Sequence, residues 1–425
     1  MSTVRTERLK GPFWTPAVYA MAALMGIGFV FGMIRFFGGL AAVTNLTDSY
    51  PWGIWKAVNV AAGVALATGG FTMAALVHIF HRERYAPLLR PALLVGLLGY
   101  TFGAVSLFID IGRYYNIWHP MWPSMWQGDS ALFEVAICIM TYLTILYVEF
   151  IPIICERYIG RVNLPGALAR LNHATDRCLR FLQKWLNQIL SAVLVLGVVL
   201  SCMHHSSLGS LMLVAKFKMS ALWYTPILPL LFLMSVFAVG FAVVICESLA
   251  VSWAFGRRFL MEVLTPLSLY VLIFQGLYAI AKTSDLLIRE AHATLLDGSP
   301  ESILFLVEMI FGIFIPLGLL VSHRVRRSPF LLGIATFLVI FGVFMNRVNV
   351  FITAYRSPFA MDRYIPSFSE IIITIGLLSA FVLLHRIVLF VFPILAVNEE
   401  PHHSTQEAPV ALPRLETAGG VQTGG

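Results

Sequence analysis

Polar and ionisable residues lie at the ends of several long apolar runs in this sequence. One run ends in Ile109-Asp110-Ile111-Gly112-Arg113-Tyr114, which places an acid, a base and a phenol beside hydrocarbon-like sequence. Three further runs are flanked by Met203-His204-His205-Ser206-Ser207, by Asn346-Arg347-Val348-Asn349 and by Tyr364-Ile365-Pro366-Ser367-Phe368-Ser369-Glu370. Because ionisable groups are costly at membrane depth, such residues usually mark a functional site.

The composition indicates an integral membrane protein. Of the 425 residues, 59% are hydrophobic and 12% charged, whereas soluble domains carry about 25% charged residues. A spanning helix needs roughly 20 mostly apolar residues. We therefore expect an all-α, polytopic membrane protein, with residues 1–397 forming one membrane domain of about ten transmembrane helices in bundles. The predicted spans are 14–36, 54–80, 91–111, 131–154, 187–204, 226–254, 264–284, 302–322, 330–346 and 369–395.

The distribution of basic residues predicts the orientation. Lys and Arg concentrate in cytoplasmic loops, and 17 of them lie in the N-terminus and the even-numbered loops. Both termini are therefore expected in the cytoplasm of a bacterium whose inner membrane holds this multi-pass protein. The charges are spread over five segments, which argues for the lipid bilayer and against nucleic acid as a partner. These residues are Arg5, Arg8, Lys10, Arg82, Arg84, Arg90, Arg157, Arg161, Arg170, Arg177, Arg180, Lys184, Arg257, Arg258, Arg324, Arg326 and Arg327.

Two segments differ from the spans. Residues 165–185 repeat apolar and basic side chains near helical spacing, which predicts an amphipathic interfacial helix on the inner leaflet. Residues 398–425 are polar and Gly-rich, which is typical of a disordered cytoplasmic tail. The five cysteines form no CxxC pair, so no iron–sulfur cluster and no metal site is expected in this chain.

On this topology the polar motifs all lie at the outer ends of the helices, where they can line one pocket. A carboxylate beside a guanidinium, with imidazoles and a phenol, can donate hydrogen bonds to carbonyl oxygens and pass protons, which suits a quinone. The predicted quinone-binding residues are Asp110, Arg113, Tyr114, His204 and His205. The alternative is that Asp110 and Arg113, three residues apart, neutralise each other on one helix face.

Deeper polar residues suggest a proton relay, since intramembrane carboxylates serve this purpose in pumps and transporters. The predicted proton-transfer residues are Tyr100, Glu134, Glu247 and Lys56. Alternatively, Lys56 pairs with one of the acids and fixes helix packing. Haem is not expected, because no two histidines occur at matched depth on facing spans. Electrons then cannot cross the bilayer through this chain, and the quinone must bind near the face where the electron donor docks.

These motifs resemble the NrfD/PsrC-like (polysulfide reductase membrane subunit) family, in particular its ten-helix branch of hydrogenase-2-type and menaquinone reductase membrane subunits. The resemblance covers nearly the whole chain and rests on several segments together. They are Tyr50-Pro51-Trp52-Gly53-Ile54-Trp55, Arg90-Pro91-Ala92-Leu93-Leu94, Leu98-Gly99-Tyr100, Ile109-Asp110-Ile111-Gly112-Arg113-Tyr114, Leu132-Phe133-Glu134, Met203-His204-His205-Ser206-Ser207-Leu208-Gly209-Ser210-Leu211-Met212, and Glu247.

The resemblance implies a haem-free, quinone-reactive subunit of a respiratory oxidoreductase. It implies a periplasmic iron–sulfur partner, further catalytic or multihaem cytochrome subunits, and menaquinone as the substrate that is reduced, with coupled proton uptake or translocation. Tyr100, Glu134, His204 and Glu247 match positions implicated in quinone reaction or proton movement. His205 departs from the pattern, in which another residue follows the matching histidine. The competing hypothesis is a proton- or ion-coupled transporter, although no internal repeat of the transporter kind is evident.

Overall fold

A computed structural model describes residues 5–397, apart from residues 51, 52, 164, 359 and 361 and the side chains of residues 56, 57, 167 and 168. The predicted tail at 398–425 and the side chain of Lys56 therefore lie outside the described residues. The structure is mostly helical, at 77% helix with almost no strand. This confirms the expected all-α class.

Thirteen α-helices and two short strands, β1 (Thr6–Glu7) and β2 (Leu395–Ala396), form the described chain. Together with short 3₁₀- and π-helical turns, they make ten stretches long and apolar enough to cross a membrane, which confirms the predicted number. The helices are α1 (Pro16–Gly38), α2 (Ile54–Leu66), α3 (Gly69–Ala74), α4 (Leu89–Asp110), α5 (Ala131–Tyr158), α6 (Asn172–Ser210), α7 (Leu228–Ala254), α8 (Met261–Ile288), α9 (Pro300–Met309), α10 (Ile315–Val321), α11 (His323–Arg327), α12 (Pro329–Val348) and α13 (Phe368–Val391).

Serine caps set the starts of several spans. The hydroxyls of Ser130, Ser299 and Ser367 each accept a hydrogen bond from the backbone N–H three residues later. Such a bond satisfies one of the N–H groups that a helix start leaves unpaired. At Ser367 the Glu370 carboxylate also accepts from the Ser367 N–H, which completes a capping box and begins α13.

The helices pack as two groups with one further pair. In the first group α2 and α3 contact α4, α4 contacts α5, and α5 contacts α6; in the second, α7, α8, α9, α10 and α12 pack together, and α7 also contacts α3 and α6. The further pair is α1 with α13. There, a Cβ on Gly28 would lie 2.7 Å from the Cα of Gly376, so only glycine allows these two helices to approach so closely.

Both ends of the described chain meet at one end of the helices, which we call the terminal face. Strand β1 pairs with β2 in antiparallel register. Arg257 pairs with Glu7 at 2.9 Å, and Arg90 donates to the Thr6 hydroxyl at 2.8 Å. Helix α4 starts near this face and runs away from it to Asp110, so α5, which follows, starts at the opposite end, the far face.

Helix α6 differs from the prediction of an interfacial helix and a separate fifth span. A short 3₁₀ turn leads into one continuous helix from Asn172 to Ser210, 39 residues long. No proline or break separates the amphipathic part from the apolar part, so the helix continues through both. The predicted span 187–204 is consequently too short, and the motif from Met203 to Ser207 lies inside the helix rather than beyond its end.

Candidate functional site

Four polar side chains from α4, α5 and α6 meet in a buried cluster. Tyr100 and His204 are both 0% exposed, and the Tyr100 hydroxyl lies 2.8 Å from Nε2 of His204. The Ser201 hydroxyl lies 3.4 Å from that of Tyr100, and the ring of Tyr142 is centred 4.6 Å from the Tyr100 ring. We call Tyr100, Tyr142, Ser201 and His204 the tyrosine–histidine cluster.

A backbone carbonyl determines which nitrogen of His204 carries the hydrogen. Nδ1 lies 3.1 Å from the carbonyl oxygen of Leu200, which can only accept, so Nδ1 is the donor. In the neutral ring Nε2 is then an acceptor, and it receives the hydrogen bond of the Tyr100 hydroxyl. This arrangement allows a proton to move between the phenol and the imidazole.

His205 borders this cluster from the next position on α6. Its ring centroid lies 4.1 Å from that of His204, and its Nδ1 donates to the Ser201 carbonyl at 2.6 Å. It is 1% exposed and lies 6.2 Å, centroid to centroid, from Phe71 of α3. Because consecutive helical residues point about 100° apart, His205 is directed towards α3 rather than towards Tyr100.

Glu134 of α5 contacts α6 at a point nearer the far face. The Ser207 hydroxyl donates to the Glu134 carboxylate at 2.5 Å. Ser207 follows His204 by three residues, so this contact lies about one helical turn closer to the far face. Glu134 is exposed, whereas the tyrosine–histidine cluster is buried. The structure therefore places a predicted proton-transfer carboxylate between the surface and His204.

Asp110 lies at the far-face end of α4 and is 1% exposed. Its carboxylate accepts the backbone N–H of Gly53 at 2.8 Å. Arg35 of α1 donates to the Ile111 carbonyl at 2.6 Å, and its guanidinium carbon lies 5.0 Å from the centre of the Tyr114 ring. Arg35 also interacts electrostatically with Asp110. Sequence reasoning missed Arg35, although a single arginine inside the first apolar span was a signal.

The predicted quinone-binding residues fall into two groups. Tyr100, which contacts His204, precedes Asp110 by ten residues on α4, about 15 Å along the helix. Asp110 and Tyr114 therefore lie at the far face, and His204 and His205 lie deeper. Because α4 ends at Asp110, the exposed Arg113 lies beyond the helix and does not share a helical face with Asp110.

Glu247 lies apart from Glu134. Its Oε1 is 3.3 Å from Nε2 of His385, which joins α7 to α13. Glu247 precedes the terminal-face end of α7 by seven residues, whereas Glu134 lies at the start of α5 at the far face. The structure thus does not bring these two predicted proton-transfer carboxylates together, and the side chain of the fourth residue, Lys56, lies outside its description.

A second buried polar cluster lies between α8, α9 and α12, centred on Glu308, which is 1% exposed. Its carboxylate forms an ion pair with Lys282 and accepts the indole N–H of Trp223 at 2.9 Å. It also accepts from the amides of Asn346 at 2.9 Å and Asn349 at 2.8 Å. We call these five residues the Glu308 cluster. Sequence reasoning missed Glu308, although it is a lone carboxylate inside an apolar span.

Arg347 lies beside this cluster and is also 1% exposed. Its guanidinium donates to the Asn346 side-chain oxygen at 2.6 Å and to the Ser235 hydroxyl at 2.8 Å, and lies 3.6 Å from the centre of the Phe232 ring. It interacts electrostatically with His205. Arg347 therefore lies between the two buried clusters.

Two histidines inside the spans, His204 and His385, are engaged with neighbouring side chains, and the described residues hold no cluster of metal ligands. Within the described part of the chain, no group of three or more His, Cys, Asp and Glu residues could hold a metal ion. His204 uses both ring nitrogens in hydrogen bonds, and His385 faces Glu247.

Comparisons with known proteins agree with one another. The family model described as "Polysulphide reductase, NrfD" matches residues 42–358. The chain is 29% identical to a "Probable Ni/Fe-hydrogenase 2 b-type cytochrome subunit" of Escherichia coli, over 95% of this chain and 98% of the relative. It is 24% identical to "Menaquinone reductase, integral membrane subunit" of Nitratidesulfovibrio vulgaris, over 77% and 79%.

A more distant relative is a selenate reductase subunit of Mesobacillus selenatarsenatis, 21% identical over 91% of this chain and 95% of the relative. The family model matches well over half of the chain and contains helices α2 to α12. The chain belongs to the NrfD family of polysulphide reductase membrane subunits.

Proposed function

We propose that this chain is the haem-free, quinone-reactive membrane subunit of a respiratory oxidoreductase complex. An iron–sulfur partner on the periplasmic side, with further catalytic or multihaem cytochrome subunits, supplies electrons, and menaquinone is reduced. The observation that carries the proposal is the 2.8 Å hydrogen bond between Tyr100 and His204, buried inside a protein of the NrfD family. The oxidoreductase names of the relatives favour this function over an ion-coupled transporter.

The chemistry requires protons as well as electrons. Reducing a quinone to a quinol takes two electrons, which the partner supplies, and two protons, which must reach the two quinone oxygens. His204 can receive a proton from the Tyr100 hydroxyl on Nε2 while Nδ1 remains bonded to the Leu200 carbonyl. An imidazole titrates near neutral pH in water, so it suits a group that passes protons.

The far-face residues would bind the ring and its oxygens. Asp110, Arg113 and Tyr114 lie around the end of α4, and Glu134 with Ser207 lies about one turn beyond His204. A quinone entering between these groups would have Glu134 at the surface and His204 and His205 deeper. In this arrangement Glu134 exchanges protons at the far-face end of the site, and Tyr100 and His204 do so at the buried end.

A second proton route would involve Glu247. Its contact with His385 lies towards the terminal face, and Lys56 of α2 was predicted for the same relay. We propose that Glu247 and Lys56 contribute to proton translocation, separately from the protons that the quinone consumes. The basic loops at the terminal face favour a cytoplasmic location for that face. The far face would then lie on the periplasmic side of a bacterial inner membrane.

The absence of haem is part of the proposal, although the Escherichia coli relative is named a b-type cytochrome subunit. It is supported by the hydrogen bonds that occupy both nitrogens of His204. The experiment is purification of the complex in mild detergent, followed by identification of its subunits, a reduced-minus-oxidised spectrum of this subunit, and an assay with a menaquinone analogue. We expect an iron–sulfur partner, no b-type bands and quinone turnover; a complex without redox subunits would contradict the proposal.

A further inference from the structure

A cavity of about 100 Å³ lies between α3, α4, α5 and α6 on the terminal-face side of the tyrosine–histidine cluster. Its polar lining consists of Glu149, His78, Arg90 and Thr6. A water molecule needs about 10–15 Å³ of such space and two to four polar partners. The cavity therefore has the size and the polar groups to hold several water molecules.

Glu149 is the carboxylate among the lining residues, and the proposed function does not use it. It lies inside the apolar helix α5, nine residues before Tyr158 at the terminal-face end, about 14 Å along the helix axis. The neighbouring cation of the cavity, Arg90, is engaged elsewhere, because it pairs with Glu156 at 2.7 Å and donates to the Pro393 carbonyl at 2.9 Å. A carboxylate at this depth is expensive, which indicates a function.

Gly197 of α6 lies beside both Glu149 and the tyrosine–histidine cluster. A Cβ placed on Gly197 would lie 3.1 Å from Cγ2 of Ile145, 3.3 Å from Oε1 of Glu149 and 3.4 Å from Cε2 of Tyr142. The absence of a side chain at this glycine thus lets Glu149 and Tyr142 approach α6 at the same point. Ser201 and His204 follow Gly197 by four and seven residues, so all three lie on one face of α6.

We propose that Glu149 and its cavity form the terminal-face proton entry for the Tyr100–His204 pair; this rests on the proposed function. A proton from the aqueous phase at the terminal face passes through water in the cavity to the Glu149 carboxylate, and each water that hands on a proton receives another. The proton then moves through the hydroxyls of Tyr142 and Ser201 to the Tyr100–His204 pair, each hydroxyl accepting one proton and releasing its own. Glu149 returns to the carboxylate, and one proton reaches the site for each electron that the iron–sulfur partner delivers to the quinone.

The test uses the intact complex with its redox partner and a soluble menaquinone analogue. Glu149→Gln keeps the shape of the side chain but cannot release a proton, so turnover should fall about 100-fold, the usual size of a lost acid–base group, while KM for the analogue stays unchanged. Glu149→Asp keeps the carboxyl group and should restore most of the turnover. A reduced-minus-oxidised infrared difference spectrum should contain a carboxylic acid band that Glu149→Gln removes.

Glu262→Gln is the matched control, because the Glu262 side chain is 84% exposed and lies outside the cavity. Parental turnover in Glu149→Gln, or a larger loss in Glu149→Asp than in the nearly isosteric Glu149→Gln, would overturn the proposal. If His204→Ala abolishes turnover while Glu149→Gln does not, the quinone site stands and the route from Glu149 is wrong. A parent complex without quinone turnover would overturn the proposed function and this inference with it.

Discussion

The two groups of helices differ in how their buried polar residues are hydrogen-bonded. In the first, Tyr100 and His204 share one hydrogen bond between groups that can each gain or lose a proton. In the second, the Glu308 carboxylate forms its ion pair with Lys282 and accepts from three further donors. The first group also borders a cavity of about 100 Å³, whereas the space beside Lys282 measures about 10 Å³.

This difference indicates which cluster does chemistry. A carboxylate whose lone pairs are all engaged is held in its charged state and fixes the positions of its donors. Two of the three π-helical turns in the described chain, Ile310–Phe314 and Asn349–Thr353, lie at this cluster, so the regular α-helical geometry is interrupted on two of the helices that form it. We infer that the Glu308 cluster stabilises the second group and the tyrosine–histidine cluster transfers protons in the first.

The largest expected effect is on stability. Glu308→Leu leaves Lys282 buried without its partner, and removing one member of a buried ion pair costs about 3–5 kcal/mol. We expect little assembled complex, measured by yield and by thermal unfolding. The double variant Glu308→Leu with Lys282→Met removes both charges and should recover part of the stability. A well-assembled Glu308→Leu variant with lost turnover would instead place chemistry in the second group.

Tyr100→Phe should have the opposite effect to Glu308→Leu, with turnover lost and assembly kept. The change removes only the hydroxyl that bonds Nε2 of His204, so quinone turnover should fall by roughly 100-fold, as for the loss of an acid–base group, while the complex assembles. Tyr364→Phe is the matched control, because the Tyr364 hydroxyl also bonds an ionisable side chain, Glu370, at 2.5 Å but within a helix cap. Equal turnover in both variants would show that the Tyr100 hydroxyl is no more important for turnover than the Tyr364 hydroxyl in the helix cap.

Glu134→Gln should have a smaller effect. The amide keeps an oxygen for the Ser207 hydroxyl but cannot ionise. Quinone turnover should fall about tenfold, less than the roughly 100-fold or more typical of an acid–base group, because water can partly replace a carboxylate at this exposed position. Assembly, checked by the presence of every partner protein after purification, should be unchanged. Asp129→Asn changes an exposed acid in the same far-face loop and serves as the control. If both variants turn over alike, Glu134 is a surface residue that only bonds Ser207.

The smallest effect concerns Tyr364 and pH. Burial and its hydrogen bond to Glu370 raise the pKa of Tyr364 above the usual range for tyrosine. The unfolded chain therefore loses this proton first, so stability is full below about pH 10 and falls as the pH rises above it. Above that pH, the thermal unfolding temperature of the parent should fall more steeply than that of Tyr364→Phe. If the unfolding temperatures of the two proteins fall in parallel with pH, the assignment of Tyr364 to a structural cap is contradicted.

The sequence predicted the class and the number of spans, and it singled out several residues that meet in the candidate site, because apolar runs and charges inside them are local signals. The predicted ends of the helices were less accurate. The sequence pattern ends the fifth span near His204, yet the helix continues to Ser210. Within it, Ser207 and His204 bond backbone carbonyls one turn earlier, so their polar atoms have partners inside the helix. The motif that contains Glu370 is predicted to line the outer pocket, although a serine three positions before a glutamate, here Ser367, is the pattern of a capping box.

Contacts between helices could not be predicted from the sequence. The expected meeting of Asp110 with His204 assumed that both lie at helix ends, whereas Tyr100 contacts His204 about 15 Å below Asp110. Glu308 and Glu149 lie inside apolar runs, so the polar motifs at the ends of those runs did not point to them. The partners of Glu308 come from other helices, and such packing depends on the approach of whole helices, as at Gly312 and Gly342.

The most direct test of the account is menaquinone reduction by the intact complex carrying His204→Ala, with exposed His292→Ala as the matched control. Removing the imidazole deletes a hydrogen-bonding partner worth about 1–3 kcal/mol, or roughly five- to 150-fold in quinone affinity or turnover. We predict that loss in His204→Ala, with full assembly and parental activity in the control. Parental turnover in an assembled His204→Ala complex would contradict the account and make the tyrosine–histidine cluster structural.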